Sequence, residues 1–240
     1  MCGRYAASRD VQEMLTLYDV SETDAPTTLP ASYNIAPTQE TYIVDQHEDH
    51  RRLRVVRWGL VPAWSRDASG AARLINARSE TVVEKPAFKA AFARRRCIVP
   101  MDGWYEWQGA GKQPWFLSSI AGLSAVAGIH EWWRPANADP NDPMAVLHTM
   151  AILTTTPNDD IARVHDRMPV VLAREDVGSW LDPGTPLPEL QHLLRPAPLG
   201  TVQAWKVSRA VSQVRNNDPS LILPSAPEEN APSAEQQALW

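Results

Sequence analysis

Apolar residues recur along this chain at two different periods. In SRDVQEMLTLYDV (8–20), Val11, Met14, Leu15 and Tyr18 fall at i, i+3, i+4 and i+7, and Ser8 or Asp10 can cap the start, so the spacing predicts a helix. KPAFKAAFARRR (85–96) predicts a second, with Phe88, Ala91 and Phe92 on one face. REDVGSWL (174–181) and PELQHLLR (188–195) predict two short ones, the last with Pro188 near its first turn. Apolar and β-branched runs predict strands at TYIVD (41–45), LRVVRWGLVP (53–62), CIVPMDGWYEW (97–107), PWFLSSI (114–120), LSAVAGIHEWW (123–133), MAVLHTMAILTTT (144–156), PVVLA (169–173) and TVQAWKVS (201–208). DAPTTLPASYNIAPTQ (24–39) carries three prolines and predicts a loop.

Strands dominate the middle, and the helices follow no βαβ rhythm. The expected class is α+β, with mainly antiparallel strands in a barrel-like core and short helices around it. There is no internal repeat. Residues 2–224 are expected to form one domain. Residues 225–240, rich in Pro, Ala, Glu and Gln, are expected to be a disordered acidic tail.

Composition narrows the picture. The chain has 240 residues, 44% of them apolar, and ten Trp, enough for a single core. Cys2 and Cys97 give no disulfide framework and no metal-ligand spacing, which suits a reducing compartment. There is no signal-peptide pattern and no apolar run of membrane-spanning length, so the expected location is cytoplasmic. Net charge is −5, yet twelve Lys and Arg lie between Arg51 and Arg96 against Asp67, Glu80 and Glu84 alone. An acidic tail can mask a basic face in the total.

Five stretches carry candidate chemistry. MCGRY places Cys2 after the initiator Met. Once Met1 is removed, Cys2 combines a thiol with an α-amine whose ordinary pKa is about 7.7–8.0, against about 10.4 for lysine. The amine can form an imine with an aldehyde, and the thiol can then close a five-membered thiazolidine on the same carbon. An internal Cys cannot do this; the plainer reading is a buried Cys. INARSET (75–81) offers the Asn76 amide and the Arg78 guanidinium fork, or simply a turn with a surface ion pair. MDGWYEWQ flanks Glu106 with aromatics, so that burial would raise its pKa and suit it to proton transfer; a solvent-facing Glu is the alternative. RVHDRMPVV sets His165 between a loop and a strand, where it can sit at a cleft edge. RWGLVPAW places Trp58, Pro62 and Trp64 among basic residues, fit either to stack on bases or to fill the core.

Singly these are ordinary features, but their joint order is not. MCGRY, YNIAPTQ, WGLVPAW, NARSET, KPAF, RRCIVPMDGWYEW, AGIHEWW, ILTTTPN, HDRMPVVL and VSRAV…NND together resemble the SOS-response-associated peptidase (SRAP) family of abasic-site-shielding proteins, over residues 2–224. The resemblance implies a protein that binds single-stranded DNA and captures the ring-opened abasic sugar as a thiazolidine through Cys2. It assigns Asn76 to positioning, and Glu106 and His165 to proton transfer. Arg4, Arg78 and Arg167 become phosphate contacts, and Trp64, Pro37 and Thr38 the rim that kinks the DNA. It implies AP-lyase-type imine chemistry, autoproteolytic or aminopeptidase removal of Met1, a monomer associated with the nucleoid or replication fork, and no cofactor, metal or membrane partner. Ser212 departs from the Asn common in the family. Two other readings stand beside it. N-terminal-Cys glutamine amidotransferases also begin Met-Cys-Gly, although this chain has no Asn-Gly dipeptide. The other is a non-covalent single-strand-binding module with Cys2 idle.

Overall fold

The computed structural model describes residues 2–23, 28–110, 112–139, 141–142 and 145–225. Five strands close into a barrel: β4 (Glu40–His47), β5 (His50–Trp58), β7 (Arg96–Met101), β10 (Ser124–Trp133) and β11 (Leu147–Thr155). They run β5–β4–β7–β10–β11 in antiparallel pairs, and a parallel pairing of β11 with β5 completes the ring, Thr149 beside Arg57 and Met150 beside Trp58. Closure removes the exposed edges that an open sheet would present.

The alternation of strand side chains sorts the barrel into two faces. Ile43, Val56, Trp58, Cys97, Val99, Met101, Val126, Met150 and Ile152 belong to one buried cluster, which Cys2 and Tyr5 join. Val44, Leu53, Ile98, Ala127, Ala151 and Leu153 belong to another, packed under the helices. Those helices are α1 (Val11–Leu17), α2 (Pro86–Arg94), α4 (Asp176–Leu181) and α5 (Leu187–Leu193), contributing Met14, Phe88, Phe92, Trp180 and Leu190. Away from Cys2 the lining turns polar. There Arg54 Nε donates to Asp45 at 2.9 Å, the His130 and His148 rings are bonded at 2.9 Å, and Trp132 stacks on His148.

A second sheet, ordered β14–β9–β8–β1–β3, lies against the barrel. Its strands are β1 (Tyr5–Ala7), β3 (Ser32–Ile35), β8 (Gly103–Gln108), β9 (Gln113–Ser119) and β14 (Val202–Lys206). Tyr5, Trp104, Leu117 and Val202 share the cluster that lines the barrel, while Ala6, Tyr105 and Phe116 pack on Val207, Val211 and Leu221. The other strands and α-helix among the described residues are β2 (Val20–Thr23), β6 (Asn76–Arg78), α3 (Asp159–Ala162), β12 (Met168–Pro169) and β13 (Val171–Leu172). Among the described residues no helix is long and apolar enough to cross a membrane.

Several elements differ from the sequence reading, three of them for reasons visible in the fold. The first helix stops at Leu17 because Asp19 takes φ +52°, which Asp tolerates, and Val20 enters a strand. The proline-rich 24–39 stretch contains β3, held by pairing to β1. The expected strand 97–107 breaks at Asp102 into β7 and β8, which belong to different sheets. The Asp102 carboxylate accepts from Ser8 N–H, Ser8 Oγ and Arg9 Nε, pinning the corner. Gly103 follows because a Cβ there would lie 2.3 Å from Leu117 O and 2.6 Å from the Phe116 ring. Gly103→Ala is therefore expected to destabilise the protein by about 2 kcal/mol or more, lowering Tm by roughly 5 °C or more in a thermal melt.

Part of the Arg51–Arg96 run is occupied internally. Arg51 donates to Tyr18 O, Arg54 to Asp45 and Arg95 to Glu131, and buried Arg96 donates to the carbonyls of Phe92, Ala93, Trp180 and Asp182. At the other end, Ser225 N–H donates to Lys206 O at 2.9 Å. Ser225 is the first residue of the expected acidic tail 225–240; the rest of it, 226–240, lies outside the described residues.

Candidate active site

Cys2 lies just before β1, where the second sheet meets one end of the barrel, and is fully buried. Its floor is built from β5 and β6. Ile75 O accepts from the Trp58 indole N–H at 3.0 Å and from Ile152 N–H at 3.0 Å, which fixes the backbone entering β6. Asn76 then donates from Nδ2 to Cys2 O at 2.7 Å. Its Oδ1 is buried with no hydrogen-bond partner among the described residues, an acceptor left over at the site. Tyr5 packs edge-on to Trp58 with centroids 5.0 Å apart, and its hydroxyl meets Thr41 Oγ1. Burial pushes the Cys2 thiol well above its ordinary range, and the nearby Glu106 carboxylate pushes it further.

Glu106 follows Trp104 by two residues on β8 and shares its barrel-facing side. It is 2% exposed, and burial raises its pKa to about 7. His165 Nε2 stands 3.6 Å from Glu106 Oε2, beyond hydrogen-bond length but within ion-pair range. His165 Nδ1 has two neighbours, Arg167 N–H at 3.0 Å and the exposed Asp166 carboxylate at 2.9 Å. The amide can only donate, so in the neutral ring Nδ1 accepts and the proton sits on Nε2, toward Glu106; Asp166 serves the protonated ring. Partial burial lowers the His165 pKa, favouring that neutral ring.

Four residues named from the sequence thus converge. Asn76 is bonded to Cys2, Glu106 is electrostatically coupled to the Cys2 thiol, and His165 faces Glu106. The remaining candidates surround them less tightly. Arg4 Nη1 donates to Asn34 Oδ1 at 2.7 Å and Val211 O at 2.9 Å, and its guanidinium lies over Trp107. Arg167 forms a two-pronged pair with Glu80 at 2.6 and 3.0 Å and also donates to Thr154 O. Arg78 is exposed and lies beside Thr154 in register, so Arg78, Glu80 and Arg167 gather at one strand end. Pro37 and Thr38 form the centre of a turn closed by Gln39 N–H to Ala36 O. Thr38 takes φ +73°, an unusual conformation for a β-branched residue, and donates to Trp58 O at 2.8 Å. Trp64 is 69% exposed, beside a shallow hollow of about 380 Å³ lined also by Arg66 and Arg73. Among the described residues no group of His, Cys, Asp and Glu is arranged to hold a metal.

Sequence reasoning did not find Trp58 as the support of Ile75, Asn34 as the partner of Arg4, or Glu80 as that of Arg167. The Glu80 acidic side chain within NARSET was the one available signal.

The family model for SOS response associated peptidase (SRAP) matches residues 1–214. The chain belongs to the SRAP family. Relatives named abasic site processing protein include two that align over nearly their whole length. YoqW of Bacillus subtilis is 34% identical over 227 residues, covering 92% of this chain and 99% of the relative. YedK of Escherichia coli is 31% identical over 237 residues, covering 93% and 100%. A crystal structure of a protein from Bacteroides thetaiotaomicron shares the fold, with a TM-score of 0.83 at 24% identity over 94% of this chain and 100% of that one. The SRAP match ends at residue 214, yet Leu221 beyond it is buried against the second sheet, so the folded unit extends past the family boundary.

Proposed function

We propose that this protein captures the ring-opened aldehyde of an abasic site in single-stranded DNA and holds it as a thiazolidine on Cys2 after Met1 is removed. The observation that carries this reading is the convergence of Asn76, Glu106 and His165 on Cys2. The names of the relatives agree with it.

Burial holds the Cys2 thiol protonated, so the amine acts first. Its lone pair attacks C1′ of the open sugar, and the carbinolamine loses one water to give an iminium. The protonated His165 ring, its Nδ1–H held by Asp166, gives its Nε2 proton to the departing water and is left neutral; the proton that Glu106 takes in the next step restores it. Sulfur then adds to C1′ as the thiol proton passes to Glu106, whose pKa of about 7 lets it both take and return that proton near neutrality. Overall, aldehyde and aminothiol give thiazolidine and one water. Asn76 holds the Cys2 carbonyl, and its Oδ1, which has no partner among the described residues, is a ready acceptor for the attacking amine or a sugar hydroxyl. The cross-link shields the lesion from strand cleavage, a role in the DNA damage response. Without ring closure the same iminium undergoes β-elimination, which is lyase chemistry. Removal of Met1, by the protein itself or by an aminopeptidase, is the activating step.

Arg78, Arg167 and Arg4 take the flanking phosphates, and Trp64, Pro37 and Thr38 brace the bend in the strand. Binding then weakens steeply with salt. The test is an SDS gel with an oligonucleotide treated with uracil glycosylase. Mature protein is expected to give a heat-resistant shifted band, and protein retaining Met1 none. Equal bands from both forms, or none from either, would overturn the proposal.

A further inference from the structure

We propose that Gln108 is a positioning residue for this reaction: its side-chain amide ties the turn that carries His165 to the strand that carries Glu106. The inference rests on the function proposed above and adds to it a residue that the SRAP resemblance does not assign.

Gln108 lies two residues beyond Glu106 on β8, on the same side of the strand. Its Nε2 donates to Arg163 O at 2.7 Å. Arg163 caps the end of α3 and lies two residues before His165. The amide therefore spans two equal offsets, from 106 to 108 on one side and from 163 to 165 on the other. Its orientation is set by Trp115. The indole Nε1–H, which can only donate, reaches Gln108 Oε1 at 3.0 Å, so Nε2 is the end left for Arg163. Trp115 pairs with Glu106 across β8 and β9, and its ring lies under the Arg163 guanidinium at 5.4 Å and the Lys206 ammonium at 6.0 Å. One half-buried side chain thus joins β8, β9 and the His165 turn.

The separation it governs is sensitive. At 3.6 Å, His165 Nε2 and Glu106 Oε2 are just beyond hydrogen-bond length, so a small shift of the turn decides whether a proton passes between them. The charged groups acting on His165 include the amino terminus, Glu106, Asp166 and Arg167, and we infer that Gln108 sets the distance to Glu106.

Two variants test the assignment. Gln108→Met keeps the length and removes both polar ends. Gln108→Glu keeps the acceptor for Trp115 but turns an oxygen onto the Arg163 carbonyl, and it preserves the fold if the Met variant does not. Both are expected to slow cross-linking by mature protein on the order of ten- to a hundredfold at saturating abasic-site DNA, with the half-saturating concentration unchanged. In NMR titration of the free protein, the His165 Cε1 resonance should report a pKa moved up toward its ordinary 6.5 as the ring loosens into solvent. A wild-type rate in a folded variant overturns the proposal. So does a reduced rate with His165 titrating as in the wild type, since Gln108 would then act by some other route. If wild-type protein forms no cross-link, the functional reading fails instead, and the titration still reports whether Gln108 holds His165.

Discussion

Mature Cys2→Ala protein is expected to form no heat-stable adduct with abasic-site DNA, a loss of about a hundredfold or more in an SDS gel, while still binding the strand. The side chain removed is small and fully buried, so the fold should survive. The variant keeps its α-amine and can still form the imine. Lacking sulfur, that imine either hydrolyses or eliminates the 3′ phosphate. Two further signals should therefore accompany the lost band: an adduct trapped only with borohydride, and new strand nicking. A heat-stable adduct from Cys2→Ala would remove the thiazolidine from the account, because no other group on the amino-terminal residue could close the ring.

The second large effect concerns Glu106. Glu106→Gln is expected to slow cross-linking by about 10²–10⁴-fold, the usual range for loss of a general acid–base group. The wild-type rate should rise with pH through about 7 as Glu106 loses its proton, and the variant should lack that limb, keeping only the one near 8 from the amine. Stability should move the opposite way. The folded pKa lies above the ordinary 4.5, so the folded state holds the proton more tightly than the unfolded chain. That contribution is complete below 4.5 and is lost as pH rises through about 7. The shift corresponds to about 3 kcal/mol on the rule of 1.36 kcal/mol per unit. Denaturant unfolding against pH should therefore show wild-type stability falling across that window and Glu106→Gln staying level. A variant that falls in parallel with the wild type would mean that Glu106 is not the buried carboxylate responsible.

The parts of the fold that were legible in the sequence have a local cause. KPAFKAAFARRR reads as a helix because Phe88, Ala91 and Phe92 repeat at helical spacing, and these are its buried residues. The barrel strands read as strands because their apolar runs are long, and the α+β class followed from their number. What was missed depends on partners distant in sequence. β3 forms inside a proline-rich stretch because β1 lies beside it, and β6 is three residues long and stands on β11. The break at Asp102 is set by Ser8 and Arg9, over 90 positions away. The site divides in the same manner. Cys2, Asn76, Glu106 and His165 could be singled out by residue type and by family resemblance. The bond between Asn76 and Cys2 crosses 74 positions, which no spacing rule foretells. The basic run was visible as charge, but its use in capping helix ends and bridging strands was not, because that depends on which carbonyls the fold leaves exposed.

The central claim is that both nucleophiles of one residue join the same carbon. Peptide mass spectrometry of the unreduced adduct tests it most directly. Mature protein is cross-linked to an abasic-site oligonucleotide, digested with protease and nuclease, and treated with a thiol-alkylating reagent. The account predicts the sugar remnant on the peptide beginning at Cys2, with the loss of one water and no alkylation of the Cys2 sulfur. A remnant on a lysine, or an amino-terminal adduct whose sulfur still alkylates, would contradict it.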